Sequence, residues 1–344
     1  GMVRPVSIAV PEGSILNPTA YAATGVRFTT ALRISDVVMG ALSQAVPERI
    51  PAAGSGQLGL LTLSDLEPDT GSYVVHVLQP LQGGSGGRPD RDGIDGMNFS
   101  GGALRNAPIE ALELEAPIFI TRYALSDAVA PGAWRGGSGV VFECQLLSPH
   151  AQLSSRGWDR FLFQPWGREG GHAGPPGRTE IVGRDGGVRA IPKIDILKLE
   201  AGETVRVVSP GGGGYGDPFR RPPALVLRDV EDGFVGVAEA EAAYGVVIRG
   251  GQVDEAATGR LRATGPGGPA RAAFDVGEER RAYEAGLPEA FQDMVWTILW
   301  EHPPASRLYF RDLVYRAART GGVGGLGEAE VRALIEERTT LLRS

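Results

Sequence analysis

Five charged residues stand directly behind a glycine run in this chain: Arg88, Asp90, Arg91, Asp92 and Asp95 follow residues 83–87. An arginine in such a place can grip a carboxylate or a phosphate through two parallel hydrogen bonds. The neighbouring carboxylates could orient a polar ligand, and all five could equally form a solvated ion-pair network. Arg88, Asp90, Arg91 and Asp92 are the candidates for lining a substrate site. A second feature is the run Gly211, Gly212, Gly213 and Gly214. Consecutive glycines allow very close backbone approach, and their amides can cradle a phosphate. This run lacks the Lys-Ser/Thr of a P-loop and opens no clear helix. Tight packing near a site or a domain interface is therefore the preferred reading.

Other chemistries find less support. His76, His150, His172 and His302 are far apart and form no His-x-His or His-x-x-x-His pair, the spacings that set imidazoles on one metal. No metal site is assigned to the chain. Cys144 is the only cysteine; it has no partner for an internal disulfide and sits in an apolar run, where packing is its expected role. Ser55, Ser85 and Ser138 lie between glycines, but none opens the helix that a nucleophile elbow requires. No catalytic residue is assigned.

The net charge of −7 and the lack of a basic stripe argue against nucleic acid or an anionic membrane as partner. No apolar run approaches the ~20 residues that span a bilayer, and no signal peptide opens the chain, so a cytoplasmic protein is expected. The 51 glycines are not periodic and cluster between apolar runs, as in a β-rich body with many short connections.

The elements follow from periodicity. Residues 5–10 read as a strand ending in the turn Pro11-Glu12-Gly13. Ile34, Val37, Val38, Ala41, Leu42 and Ala45 repeat at helical spacing, with Thr29 or Thr30 as N-cap and Pro47 as the stop. Strands are expected at 73–78, 118–123, 140–147 and 204–208. Residues 224–247 read as a short amphipathic element, and 265–269 as a linker. Beyond it, Leu287, Phe291, Met294, Val295 and Ile298 form one helical stripe, and Val331, Leu334, Ile335, Arg338 and Leu342 another. These stripes pack on their own body or offer a partner face. The fold class is α+β and β-rich: a glycine-rich mixed β body with a helix near the N-terminus and a helical C-terminal appendage. The expected divisions are an α+β portion at 1–125, a β-rich domain at 126–220, a short helical element and linker at 221–270, and the appendage at 271–344.

Six ordered motifs carry a resemblance. They are Arg4-Pro5 with residues 11–18, residues 83–93, Asn106-Ala107-Pro108-Ile109-Glu110-Ala111-Leu112-Glu113, Trp134-Arg135-Gly136-Gly137-Ser138-Gly139, Pro165-Trp166-Gly167, and residues 210–218 with Tyr244-Gly245-Val246-Val247 behind. Together they resemble the C-terminal half of hydantoinase B/oxoprolinase-type chains, the family that also holds acetone-carboxylase-like large subunits. The resemblance implies a two-component machine. A hydantoinase A-like ATPase subunit phosphorylates a carbonyl or enol oxygen, and the B component supports hydrolysis of a cyclic amide, or carboxylation. It also implies that ATP with magnesium and a divalent transition metal belong to the missing half or the partner subunit, with no cofactor bound by this chain. The partners it implies are the ATPase and a separate N-terminal half of the B component, in an oligomer. Where many members carry His-x-His, this chain has Asn98-Phe99-Ser100. A catalytic component, a scaffold subunit that lost the chemistry, and a segment of a longer enzyme are the alternatives left open. The resemblance gives no role to the chain beyond about Arg249.

Overall fold

The computed structural model describes residues 7–19, 25, 27–67, 69–98, 108–191, 195–265, 273–320 and 326–343. Pro5 and Val6 lie outside these. Residues 7–10 are not the expected strand: no strand pairs with them among the described residues, and Ile8 is exposed. Extended backbone without a partner has nowhere but water for its N–H and C=O groups.

The first helix, α1, spans Arg27–Ala45. It begins a turn earlier than its expected caps, so Thr29 and Thr30 lie inside it. Pro47 opens a short 3-10 turn that ends it, because proline cannot donate to a continuing helix. The apolar stripe that gives α1 its period does not face the body. Val37 is 71% exposed, and Ile34, Val38 and Leu42 are exposed with it. The inward face instead carries Leu32, Arg33, Asp36 and Ser43. Arg33 Nη2 donates to Gly56 O at 2.8 Å, Asp36 pairs with Arg33 at 2.9 Å and with Arg160, and Ser43 accepts from the buried Arg168.

Next come β1 (Gly59–Leu66), β2 (Tyr73–Leu81), α2 (Ile109–Glu115), β3 (Ile118–Leu125), β4 (Val140–Leu146) and β5 (Gln152–Arg156). After these lie β6 (Gly167–Arg168), β7 (Arg178–Val182), β8 (Val188–Ile191), β9 (Asp195–Lys198) and β10 (Thr204–Val208). Two antiparallel sheets result, in the orders β2-β1-β5-β9 and β3-β4-β10-β7-β8. They share one core: Leu61, Leu63, Leu78 and Leu153 from the first, and Ile118, Phe142, Cys144, Leu146, Ile181, Val205 and Val207 from the second. Strand alternation explains the selection. Val205 and Val207 point inward, while Arg206 between them lies across Glu143 and Glu180 on the flanking strands and bonds both. Cys144 is fully buried, and burial pushes its thiol pKa up to about 12.

The segment expected as one short element at 224–247 holds two helices: α3 (Pro223–Glu231) and α4 (Val237–Tyr244). A hairpin of β11 (Ile248–Arg249) and β12 (Gln252–Val253) and then α5 (Glu255–Ala263) follow. Asp254 caps α5 by accepting from Ala257 N at 2.9 Å. Val226, Val235, Ala240, Tyr244 and Val246 form a small core with Val129 of the body. Of the expected linker, Gly265 is described and 266–269 lie outside the described residues.

The appendage begins with β13 (Phe274–Asp275), which pairs with β6 of the body. Its helices are α6 (Glu278–Gly286), α7 (Glu289–Leu299), α8 (Pro304–Thr320) and α9 (Glu328–Arg343). The two expected stripes meet here: Leu287, Val295 and Ile298 pack with Phe310, Val314, Val331 and Ile335. The stripes thus bury one another. The side chain of Leu342 lies outside the described residues. The chain is a mixed α+β fold with a helical C-terminal region.

Candidate functional site

The glycine runs lie side by side as extended segments bonded through their backbones. Gly84 N donates to Pro210 O, Ser55 N to Gly84 O, Gly137 N to Ser85 O, Gly212 N to Gly137 O, and Gly87 N to Gly213 O, all at 2.8–3.0 Å. The spacing leaves no room for side chains. A methyl group on Gly212 would stand 1.9 Å from Ser85 O, one on Gly84 1.9 Å from Gly137 O, and one on Gly136 2.0 Å from Gly212 O. Contacts under ~3 Å between carbon and backbone oxygen are repulsive, and neither partner here can rotate away.

The amides of Gly211, Gly212, Gly213 and Gly214 are therefore occupied. They donate to Pro175 O, Gly137 O, Ala53 O and His172 O. A phosphate cradle needs N–H groups aimed at open space, so these glycines do not fit one. Their outer neighbours form the wall of a cavity of about 560 Å³, within the size range of small-molecule sites. Gly54, Ser85 and Gly86 give it a backbone wall. Ile50, Pro51, Ile94 and Trp166 give it an apolar one. Asp36 and Met39 of α1, with Arg49, Arg88 and Asn98, complete it.

The structure disperses the four charged candidates. Arg88 lines the cavity. Asp90 and Arg91 pair with each other in solvent, Arg91 Nη2 to Asp90 Oδ2 at 2.7 Å, and that bond holds the Asp90 carboxyl below its usual range. Asp92 turns the other way and takes Arg221 in a two-pronged pair at 2.7 and 2.8 Å. Asp95 takes Arg135 at 2.8 and 3.1 Å. Asp229 of α3 joins the two, accepting from Arg135 Nε at 3.1 Å and from Arg221 Nε at 2.8 Å. Burial raises the Asp229 pKa against the pull of both arginines. This network fastens α3 to the glycine bundle, with Arg135 also lying over the Phe234 ring at 4.4 Å.

Asp36, Arg49 and Trp166 as cavity residues are not singled out by any spacing in the sequence. Arg49 springs from the turn after α1, and its N–H donates to Val46 O at 3.0 Å. Asp36 is half-buried, and the loss of water around it raises its pKa although Arg33 and Arg160 oppose the shift. Asn98 is buried, its N–H donating to Gln82 Oε1 at 3.3 Å; Phe99 and Ser100 lie outside the described residues. Among the described residues no three His, Cys, Asp or Glu side chains converge closely enough to hold a metal ion. Asp92, Asp95 and Asp229 are each held by arginine. These residues do not fit a transition-metal centre, and the occupied glycine amides do not fit a nucleotide's phosphates. No helix among the described residues is long and apolar enough to cross a membrane.

Comparison with known proteins agrees with the motifs. The hydantoinase B/oxoprolinase family model matches residues 1–218. The chain is 35% identical over 266 residues to the B-type component of a putative D-/L-hydantoinase from a Pseudomonas species, covering 76% of this chain and 44% of that one. It is 37% identical over 281 residues to the beta chain of the caprolactamase of Pseudomonas jessenii, covering 76% and 47%. The chain thus spans less than half the length of these relatives. The crystal structure of the ATP-dependent caprolactamase from Pseudomonas jessenii superposes with a TM-score of 0.53 at 33% identity, covering 65% of this chain and 40% of that one. Nucleotide-free acetone carboxylase shares the fold, with a TM-score of 0.52 at 18% identity over 62% of this chain and 33% of that one. The chain belongs to the hydantoinase B/oxoprolinase family.

Proposed function

We propose that this chain is a component of an ATP-dependent hydantoinase- or oxoprolinase-type machine for cyclic amides. It supplies one wall of the compound-binding pocket and works with a hydantoinase A-like ATPase and with the rest of a B-type fold. The observation that carries this reading is the reversed setting of α1. Its polar side is bonded to the body, while Val37, Val38 and Leu42 face outward. The edge strand β2 adds exposed Tyr73, Val75 and Val77. Apolar surface of this extent is normally covered by a partner, and the remaining length of the relatives, of which this chain spans less than half, is the cover we propose.

The chemistry divides accordingly. Phosphorylation of a ring carbonyl oxygen on the ATPase component draws electrons from the carbonyl carbon and readies it for attack by water. This chain binds and orients the ring against Ile50, Pro51, Ile94 and Trp166. A cover over α1 would also lie beside Met39 at the cavity's edge and exclude bulk water, which strengthens polar contacts inside.

The test is assembly. The chain is mixed with a hydantoinase A-like ATPase and the complementary B-type portion, then sized by sedimentation, with ATP hydrolysis followed in the presence of hydantoin or caprolactam. A stable complex with cyclic-amide-stimulated ATP hydrolysis is expected. Val37→Glu with Val38→Glu should prevent assembly and leave the chain folded. A chain that stays alone at micromolar concentration, with ATP hydrolysis unchanged, overturns the proposal.

A further inference from the structure

A second cavity, of about 680 Å³, lies where the body meets the appendage, and it shares no described lining residue with the first. Phe161, Phe163 and Ile191 give it apolar walls, and Arg160, Thr179 and Arg280 give it polar ones. Arg280 belongs to α6, outside residues 1–218 that the family model matches. Tyr283 of the same helix rests edge-on against Phe163 at 5.1 Å, and Arg280 lies over that ring at 5.4 Å. The appendage thus closes one side of the space.

Two polar atoms on these walls are left over. Thr179 is 1% exposed, and its Oγ1 has no hydrogen-bond partner among the described residues. It stands in β7 opposite Ile191 and Val207, whose side chains offer it nothing to bond. Arg160 Nε is closed off from water and equally without a partner, although Nη2 of the same group is bonded to Asp36 at 2.5 Å. Buried donors without an acceptor cost free energy and call for one. Gly177 N donates to Arg160 O at 3.1 Å, which brings the two segments together. Arg160 also holds φ at 59°, a setting that residues other than glycine seldom take and that recurs at binding sites.

The surrounding charge is cationic but not bare. Arg33 pairs with Asp36 and Asp159, and Arg160 with Asp36. Arg178 Nε donates to Glu180 at 3.1 Å, and Arg280 Nε to Glu284 at 2.5 Å. Arg178 and Arg280 are exposed, and pairs made in solvent are weak, so either can trade its carboxylate for a ligand's. Burial first, and Arg33 next, lower the Arg160 pKa against the pull of Asp36 and Asp159. A further anion beside Arg160 would favour its charged form.

We infer that this second cavity is a binding site for a small aryl carboxylate. The ring lies against Phe161 and Phe163, the carboxylate accepts from Thr179 and Arg160, and Arg178 and Arg280 stand at the mouth. The inference does not rest on the proposed function, since it concerns another cavity and needs no ATPase.

The test is calorimetric titration of the purified chain with phenylacetate, uncharged phenylethanol and inorganic phosphate. Phenylacetate should bind saturably and at least about tenfold more tightly than either of the others. Thr179→Val keeps the branched shape and removes only an unpaired hydroxyl. Its thermal transition should hold or rise while the affinity for phenylacetate falls about tenfold. Arg280→Gln changes an exposed side chain and should weaken binding about threefold without touching the fold. Arg88→Gln, on the wall of the first cavity, should leave binding unchanged. No saturable binding at millimolar phenylacetate, equal binding of phenylethanol or phosphate, or an affinity that Thr179→Val and Arg280→Gln leave unchanged overturns the inference. So does a loss of binding in Arg88→Gln, which would put the ligand in the first cavity.

Discussion

The glycine bundle and the C-terminal appendage are two cores built on opposite principles. In the appendage, Val295, Ile298, Val314, Val331 and Ile335 fill the space between helices with side chains and are almost fully buried. In the bundle, segments 83–87, 136–139 and 211–214 touch backbone to backbone, and removing the side chains is what allows the contact. The first core tolerates imperfect filling at a graded cost. The second tolerates no added atom. A cavity wall made from the second kind is rigid, which suits a surface that is to orient a bound ring.

The sharpest break of this comparison is Gly212→Ala. The new methyl would lie 1.9 Å from Ser85 O, and backbone on both sides prevents relief, so the cost exceeds the ~3 kcal/mol at the top of ordinary overpacking. Cooperative unfolding of the body should be lost. Cys144 reports it: its thiol, with a pKa raised to about 12 by burial, stays unreactive until the body opens. The corresponding change in the appendage, Ile298→Ala, should cost about 3 kcal/mol, within the ordinary range for emptied core positions. Urea unfolding followed by tryptophan fluorescence should show that loss while Cys144 protection is retained. Simultaneous loss of both signals would mean that the two cores are one cooperative unit.

Smaller effects sharpen the contrast. Gly40 lies inside α1 with nothing within 4 Å of an added Cβ. Gly40→Ala should therefore stabilise the chain by about 1 kcal/mol in thermal unfolding, opposite in sign to Gly212→Ala. The smallest effect expected is that of acid on the two junctions. Asp275 accepts from Ala173 N, Gly277 N and Arg281, and these bonds outweigh burial and lower its pKa. Its stabilisation is complete above the ordinary value of 3.8 and fades as pH falls through the lowered folded value. Asp229 has the opposite sign. Burial raises its pKa, so its ionised form is disfavoured by folding, and acid lessens that penalty. Hydrogen exchange at falling pH should show β13 and the start of α6 opening before α3.

The two cores also differ in how well they could be read. Leu287, Val295 and Ile298 recur at helical spacing, and so do Val331 and Ile335, because one helix face must meet another. Strands at 118–123, 140–147 and 204–208 showed themselves through apolar runs or alternation for a similar reason. Glycine carries no period, so segments 83–87 and 136–139, read as connections, proved to be tightly packed interior, as the preferred reading of 211–214 already had it. The stripe of α1 announced a helix correctly but not its facing, since Arg33, Asp36 and Ser43 find partners at Asp159, Arg160 and Arg168 more than a hundred residues away. The run from Arg88 to Asp95 looked like one cluster. The chain bends at 89–91, closed by Arg88 N donating to Arg91 O, which leaves Asp90 and Arg91 in solvent, and the arginines that claim Asp92 and Asp95 come from positions 221 and 135. Arg49 had no marker at all.

The proposal that this chain needs the rest of its assembly is tested most directly by the rate of ATP-dependent ring opening of hydantoin and caprolactam. The rate is measured with the purified chain alone, with manganese or zinc added, and with the ATPase and complementary B-type portion supplied. The account predicts background rates in the first two conditions and turnover only in the third. Sustained, ATP-dependent ring opening by the chain alone would contradict it.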